Sequence, residues 1–394
     1  MRVCYYGSYD LSEPHNSTHI EGLKQAGVEV IECNLPAMPK RDAEGNYRNM
    51  VRTIGMALAL VKTSLMLFGK LCRQKKLDAI IVGYPGFFDL PFAKLYATLK
   101  KIPLIFNVHI SLYETIVVDR GYFAKQSLVG RLSKWYDRLL FRLSNVVLAD
   151  TQSHAEYFAK LYNLSPQKFR RVFIGADPMF RPAASKKESS QIIVLFYGTF
   201  IPLQGIEHIV RAADLLKHEK ELHFEIIGRG QTQAQIVALA KSLDTTNITF
   251  IDWMNRADLV ARIAQADICL GGQFGLSEKA DLVIGYKCFQ MIAMGKATVV
   301  SDSKGNRELL THDFDCYMCK PGDPHALAEA ILALKNDAWL RRRIAAESYR
   351  TFNTHCSLAK IGNDLRAIIE GQLHRAFSQA PAPAPALSFS RQSH

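Results

Sequence analysis

Apolar residues along the chain form a series of short strands that alternate with helical sequence. A first strand is predicted over residues 1–7, and a helix over 16–26 with a second strand over 28–34 completes a β-α-β opening. Continuous apolar runs follow at residues 77–83, 102–108 and 145–149. Such runs are typical of strands buried in a helix-covered parallel sheet. The first half is therefore predicted to be a doubly wound α/β unit.

The same alternation begins again after a lysine- and serine-rich segment, residues 183–190, which we interpret as a linker. Predicted strands cover 192–198, 223–228, 248–251, 267–271 and 297–301, and predicted helices cover 206–217, 232–242 and 257–265. The repetition predicts a second doubly wound parallel sheet, facing the first across a cleft. The predicted domains are residues 1–182 and 183–373, and the terminal helices of the second can cross back to the first. Residues 374–394, rich in proline and alanine, are predicted to be a disordered tail.

The composition is that of a folded protein, since 48% of the 394 residues are hydrophobic and 22% are charged. Eight cysteines are scattered through the chain with no leader ahead of the first strand, which favours a reducing cytoplasm. Cys316 and Cys319 form the one close pair. Because no second pair or histidine lies at zinc-site spacing, we expect two buried thiols there and no metal site.

The net charge of +12 is unevenly distributed. Residues 1–182 contain 25 Lys and Arg against 15 Asp and Glu, a balance of +10, whereas residues 183–394 contain 24 against 22, a balance of +2. A positive field on the first half favours an anionic partner, such as a phospholipid surface or a lipid-phosphate acceptor. Nucleic acid is disfavoured because no recognisable nucleic-acid-binding module accompanies the charge.

Residues 49–76 have the pattern of a basic amphipathic helix. The apolar run is too short to span a bilayer easily, and Lys62 at its centre would cost about 2.5–3.5 kcal/mol there. Two alternatives remain open: the helix packs on the first sheet, or it rests on an anionic membrane. A second basic and aromatic stretch, residues 120–142, favours peripheral attachment to the inner face of the membrane.

Glycines follow several predicted strands, at Gly7, Gly198, Gly228 and residues 271–272. Ligands of doubly wound sheets bind at the carboxyl ends of the strands, where glycine lets a ligand approach the backbone. The Gly228-Arg229-Gly230 turn lacks the third glycine of a dinucleotide fingerprint, and the chain has no Walker lysine motif. NAD and ATP phosphate loops are therefore disfavoured.

A series of motifs in order resembles the retaining glycosyltransferases of family 4, which have the GT-B fold. The motifs are GADPMFRP (175–182), YGTFIPLQGIEHIVRAADLL (197–216), FEIIGRGQT (224–232), ADICLGG (266–272), GYKCFQMIAMGKATVVSD (285–302), GNRELL (305–310) and PGDPHALAEAI (321–331). The resemblance implies an α/β protein of two Rossmann-like domains. It also implies metal-independent, retaining transfer of a sugar from a UDP- or GDP-sugar co-substrate, without a further cofactor, to a hydroxyl of a glycan or lipid-linked acceptor.

The sequence departs from the family pattern where charged residues are expected. The arginine and lysine that hold the donor diphosphate correspond here to Thr199 and Gln204, in the loop after Gly198. The paired glutamates of the family correspond to Leu282 and Gln290. An amide at 290 can still bond ribose hydroxyls, whereas Leu282 cannot bond a sugar.

Other residues nearby can supply the missing charges. Lys279, Lys287, Arg229 and the helix that follows Gly285 are candidates for the diphosphate site, and Lys287 is preferred. Glu278 and Asp281 are candidates to replace the acid lost at 282.

In the first half, His109 follows a buried strand at the position of the histidine that the family directs toward the reacting centre. The alternative is a histidine satisfied within the core. Gly7, His15, Asn16 and Asp119 lie after or near strands, where contacts to the acceptor are expected.

Two functional hypotheses follow. The first is an active glycosyltransferase. The second is a non-catalytic relative that keeps the nucleotide-sugar fold as a sensor or as the partner of an active subunit, and the loss of four charged family positions motivates it.

Overall fold

A computed structural model describes residues 1–35, 54–119, 121–183 and 191–378 of the chain. Arg120, the predicted linker from residue 184 onward, most of the predicted tail and the first residues of the predicted amphipathic helix lie outside these ranges. The described part contains two six-stranded parallel sheets. The predicted pair of doubly wound units is thereby confirmed.

The first lobe has the strand order β2-β1-β3-β4-β5-β6. Its strands are β1 (Arg2–Gly7), β2 (Glu29–Asn34), β3 (Ala79–Val82), β4 (Leu104–Asn107), β5 (Val146–Ala149) and β6 (Phe169–Arg171). Its helices are α1 (Pro14–Gln25), α2 (Ile54–Cys72), α3 (Leu90–Lys100), α4 (Leu128–Leu143) and α5 (Gln152–Tyr162), with a π-helical turn at Glu114–Asp119. Strands β3, β4 and β5 are wholly buried, which explains their continuous apolar sequence.

The second lobe has the order β12-β11-β10-β7-β8-β9. Its strands are β7 (Ile192–Tyr197), β8 (Leu222–Ile227), β9 (Ile248–Ile251), β10 (Ile268–Gly272), β11 (Ala297–Ser301) and β12 (Tyr317–Cys319). Its helices are α6 (Ile206–Leu215), α7 (Gln233–Ser242), α8 (Arg256–Gln265), α9 (Glu278–Leu282), α10 (Tyr286–Ala293), α11 (Lys304–Arg307), α12 (Pro324–Asn336), α13 (Ala338–His355) and α14 (Leu358–Ser378). Sequence analysis missed β6 and β12, because three residues are too few to show a period.

Helix α14 packs against α1 of the first lobe. The two helices approach so closely at Gly22 and Gly362 that a Cβ on Gly22 would lie 2.8 Å from the Leu358 carbonyl oxygen. Ile361 and Leu365 are buried in the core of the first lobe. The helix continues through Ser378, beyond the predicted start of the tail at residue 374.

Hydrogen bonds also join the lobes at the carboxyl ends of their strands. The Thr151 hydroxyl donates to the Leu282 carbonyl at 2.5 Å. The Glu308 carboxylate accepts from the Gln152 and Ser153 amides, both at 2.6 Å, at the first turn of α5. None of the described helices is long and apolar enough to cross a membrane.

Candidate active site

Three glycine turns meet at the carboxyl edge of the second sheet. Gly198, Gly228 and Gly272 follow or end β7, β8 and β10, and all three have positive φ. A Cβ on Gly228 would lie 2.1 Å from the Gly198 carbonyl oxygen, so no larger residue fits this turn. The turns form a floor on which a ligand can approach the backbone.

Lys287 projects onto this floor from the first turn of α10, whose N-cap is Gly285. Its Nζ lies 4.3 Å from the ring centroid of Phe196 and donates a hydrogen bond to the Gln204 side-chain oxygen. A Cβ built on Gly198 or Gly272 would lie 2.9 or 2.8 Å from the same Nζ. The ammonium group therefore occupies the point where the turns after β7 and β10 converge.

The charge on Lys287 is poorly compensated. The side chain is 8% exposed, and no carboxylate lies within ion-pair distance of it in the part of the chain described. Burial lowers the pKa of Lys287 from 10.5 to about 7. A buried cation with no counter-ion among the described residues, at the first turn of a helix, has an electrostatic environment that favours an anion.

The neighbouring candidates hold different positions. The Gln204 carbonyl accepts from the Phe274 amide, so this residue joins the loops after β7 and β10. Thr199 lies beside Gly230, where its methyl group would be 3.1 Å from an added Cβ. Arg229 pairs with Asp252 at 3.0 Å at the edge of the site.

Gln290 lies on α10, one turn after Lys287. It is 6% exposed, and its Oε1 accepts a hydrogen bond from the Tyr197 hydroxyl at 2.9 Å. One of the two lone pairs of that oxygen is used within the protein, and the Gln290 side chain is also hydrogen-bonded to Tyr286. Leu282 is buried and faces the other lobe through its carbonyl.

The charged residues of α9 do not join the Lys287 site. Lys279 is 6% exposed and pairs with Asp119 of the first lobe at 3.1 Å. Asp281 pairs with Lys304 at 2.7 Å, and Glu278 is exposed on the same helix. The geometry therefore gives no support to Glu278 or Asp281 as replacements for the acid at 282, nor to Lys279 as a diphosphate ligand. Lys279 and Asp119 form a bridge between the lobes.

At the carboxyl edge of the first sheet, His109 follows β4 with a φ of 44°. The centroid of its ring lies 3.3 Å from that of His15 and 5.8 Å from that of Tyr84. Burial and the nearby His15 hold the pKa of His109 well below its usual range. The imidazole is therefore neutral at pH 7 and can either donate or accept a hydrogen bond.

Asn16 and Gly7 shape the loops around these histidines. Asn16 is fully buried, accepts from the Tyr5 hydroxyl and the Tyr84 amide, and donates to the Tyr84 and Asp10 carbonyls. These hydrogen bonds are all made within the protein, and a contact between Asn16 and an acceptor stays a prediction. Gly7 lies against the buried Asp89 carboxylate, 3.2 Å from an added Cβ.

Sequence analysis missed Gln273, which follows β10. It has a φ of 63°, is 4% exposed, and its Oε1 has no hydrogen-bond partner among the described residues. The other described non-glycine residues with positive φ, besides His109, are exposed at helix ends or turns: Lys76, Lys101, Asn163, Asp244 and Asp313. Strain in buried residues is typical of functional sites, and no pattern in the sequence signals it.

Comparisons with known proteins agree with the fold. The family model "Glycosyltransferase Family 4" matches residues 13–180, and "Glycosyl transferases group 1" matches residues 180–351. A lipopolysaccharide core biosynthesis glycosyltransferase, LpsD of Rhizobium meliloti (strain 1021), is 26% identical over 183 residues, which are 46% of this chain and 50% of the relative. The chain thus aligns with about half the length of this curated relative.

Solved structures share the fold over almost the whole chain. The Anabaena protein HepE, in complex with UDP, aligns over 94% of this chain and 99% of its own, with a TM-score of 0.69 at 12% identity. WaaG, a glycosyltransferase involved in lipopolysaccharide biosynthesis, aligns over 94% and 99%, with a TM-score of 0.63 at 14% identity. The two adjoining family matches and the two-sheet scaffold identify the chain as a GT-B glycosyltransferase that resembles family 4.

Proposed function

We propose that this glycosyltransferase moves a sugar from a UDP- or GDP-sugar to a hydroxyl of a lipid-linked or membrane-surface glycan, with retention of configuration and without a metal ion. One observation carries the proposal. Lys287, a buried ammonium group with no counter-ion in the described part of the chain, lies where three glycine turns expose the backbone. A nucleoside diphosphate supplies the negative charge that this site lacks.

The donor and acceptor classes are inferred from the relatives. HepE has been crystallised with UDP and with UDP-glucose. LpsD and WaaG are named for lipopolysaccharide biosynthesis, which favours an acceptor carried by a lipid. These ligands and pathways are those of the relatives. Because this chain shares their fold, the same donor and acceptor classes are the first to test here.

In the proposed reaction no protein side chain forms a covalent bond to the sugar. The acceptor oxygen attacks the anomeric carbon on the face from which the diphosphate leaves, and the acceptor proton passes to the departing phosphate oxygen. Lys287 stabilises the leaving diphosphate, and His109 binds a sugar hydroxyl on the opposite side of the cleft. Among the residues described, no three His, Cys, Asp or Glu side chains are grouped as a metal site.

Thermal-shift titration with UDP, GDP and their sugars tests the donor site. The wild-type protein is expected to be stabilised by one nucleotide, and Lys287→Ala is expected to lose that shift. Lys335→Ala is the matched control, because Lys335 is a partly buried lysine of the same lobe that pairs with Glu219 instead. An equal nucleotide shift in the Lys287 variant and the wild type would overturn the assignment.

A transfer assay separates the enzyme from a non-catalytic relative. Purified protein with the nucleotide-sugar that binds, and with lipid-linked glycan acceptors, is expected to release free nucleoside diphosphate and to form a glycoside with the anomeric configuration of the donor. If the donor binds tightly but is neither transferred nor slowly hydrolysed, the sensor or partner-subunit alternative is favoured.

We also propose that the first lobe rests on the anionic cytoplasmic face of a membrane. Helices α2, α3 and α4 pack side by side and leave large apolar side chains exposed: Val61, Leu65, Met66, Leu95, Leu99, Leu128, Leu132 and Trp135. Exposed Lys62, Lys100 and Arg131 lie on the same helices. Apolar insertion together with basic charge is the pattern of attachment to an anionic interface.

Sedimentation with lipid vesicles tests this surface. Binding to phosphatidylglycerol vesicles is expected to exceed binding to pure phosphatidylcholine and to fall in Trp135→Ser. Trp339→Ser is the control, because Trp339 is as exposed, at 65% against 60%, but lies in the second lobe. Equal binding by the two variants would refute the placement of the membrane on the first lobe.

A further inference from the structure

A chain of buried charged groups lies behind His109 in the first lobe. The imidazole of His154 is fully buried, with Nδ1 2.8 Å from Asp150 Oδ1 and Nε2 3.1 Å from Glu114 Oε1. Burial alone would lower the pKa of His154, but the two carboxylates outweigh it and raise the pKa to about 9. His154 is therefore an imidazolium that donates both N–H groups, one to each acid.

The second oxygen of Asp150 faces His109. Asp150 Oδ2 and His109 Nδ1 are 4.0 Å apart, and both atoms are buried without a hydrogen-bond partner among the described residues. Buried polar atoms of this kind are rare and costly. A movement of about 1 Å would bring the two atoms to hydrogen-bond distance.

The charges around His109 decide which nitrogen carries its proton. Two carboxylates and one imidazolium leave one negative charge in excess beside Nδ1. His15 and His19 of α1, Lys279 of α9 and His154 of α5 also act on His109, and each disfavours a second proton on the ring. A neutral imidazole in this field keeps its single proton on Nδ1, where it faces the carboxylate of Asp150.

We infer that Asp150, held in place by His154 and Glu114, is a positioning residue that fixes His109 as the Nδ1–H tautomer, so that Nε2 accepts a hydrogen bond from a hydroxyl of the bound sugar. The inference rests on the proposed function for the identity of the ligand, but not for the tautomer itself. A carboxylate behind a histidine orients the ring in this way at other sites.

Nitrogen-15 NMR of histidine-labelled protein tests the tautomer without any substrate. The His109 signal, assigned by its loss in His109→Gln among 12 histidines, is expected to show a protonated Nδ1 and an unprotonated Nε2 at neutral pH. In Asp150→Asn, whose amide can donate to Nδ1, the proton is expected to move to Nε2. The opposite tautomer in the wild type, or no change in the Asp150 variant, would overturn the inference, and the wild-type spectrum suffices if the variant does not fold.

Kinetics then connect the tautomer to catalysis. In Asp150→Asn, kcat is expected to fall by about 10²- to 10⁴-fold, while the Kd for the nucleotide, which binds the other lobe, stays unchanged. Asp315→Asn is the control, since Asp315 is a buried carboxylate of the second lobe that is hydrogen-bonded to Thr311 and Thr351. A normal kcat in the Asp150 variant would contradict the positioning role. If the wild type transfers no sugar but shows the expected tautomer, the proposed function fails and the inference about His109 stands.

Discussion

Lys287 is expected to destabilise the protein when no donor is bound, and the amount can be worked from its pKa. The pKa falls from 10.5 to about 7 on folding, and each pKa unit is worth about 1.4 kcal/mol. The charged form of Lys287 therefore costs the folded state about 5 kcal/mol below pH 7. Lys287→Met removes the charge and keeps an unbranched, apolar side chain over Phe196.

The sign of the pH dependence follows from proton binding. Between about pH 7 and pH 10.5 the unfolded state holds a proton on Lys287 that the folded state has lost, so this residue makes the wild type more stable as the pH rises. Lys287→Met lacks that contribution. The variant is expected to be more stable than the wild type by about 4 kcal/mol at pH 7 and by about 2 kcal/mol at pH 9.

Urea unfolding of both proteins at the two pH values measures this difference in the free energy of unfolding. The other titrating groups are the same in both proteins, so their contributions cancel. Lys335→Met is the control, because the carboxylate of Glu219 raises the pKa of Lys335 and its charge is constant over this range. A Lys287 variant that is less stable than the wild type, or a difference that does not change with pH, would refute the claim that the ammonium is desolvated.

Three further changes test the contacts that hold the lobes and the cleft. Glu308→Ala removes the carboxylate that accepts hydrogen bonds from the first two amides of α5, across the two lobes. The free energy of unfolding is expected to fall by about 1–2 kcal/mol in urea titrations. Asn16→Leu leaves the Tyr84 amide and carbonyl unpaired and is expected to cost about 2–4 kcal/mol of stability with unchanged nucleotide affinity by calorimetry. Lys279→Met leaves the partly buried Asp119 carboxylate without its cation and is expected to lower the free energy of unfolding by about 3–5 kcal/mol. Adding Asp119→Asn should restore most of that stability, which a double-mutant cycle would measure.

The fold was predictable because its strands are continuous and buried. Strands β3, β4 and β5 lie in the interior of a sheet covered on both faces, so every position except Asn107 is apolar and the run is visible in the sequence. The two strands that were missed lie at the edges of their sheets, where three residues suffice to complete the pairing. The bounds of α14 were unpredictable for another reason, since its packing on α1 depends on the meeting of Gly22 and Gly362.

The site was predictable only in part, because it depends on which distant residues meet. Lys287 was selected from its position after Gly285, and the structure places it on the glycine floor. Lys279 and Asp281 are also near Gly285 in the sequence, but α9 directs Lys279 to Asp119 and Asp281 to Lys304. Nothing within one lobe could reveal the first of these pairs, whose members are 160 residues apart.

The contact between Lys287 and Gln204 explains how a site can lose its usual cations and keep its place. In family 4, as the resemblance implies, the loop after β7 carries the charge at the positions of Thr199 and Gln204. Here Gln204 is an amide that accepts a hydrogen bond from Lys287, so the cation reaches the same loop from the first turn of α10. Since both arrangements put a positive charge where β7 and β10 end, the sheet would set the position of the proposed anion site. The residue that supplies the charge can change while the glycine floor stays.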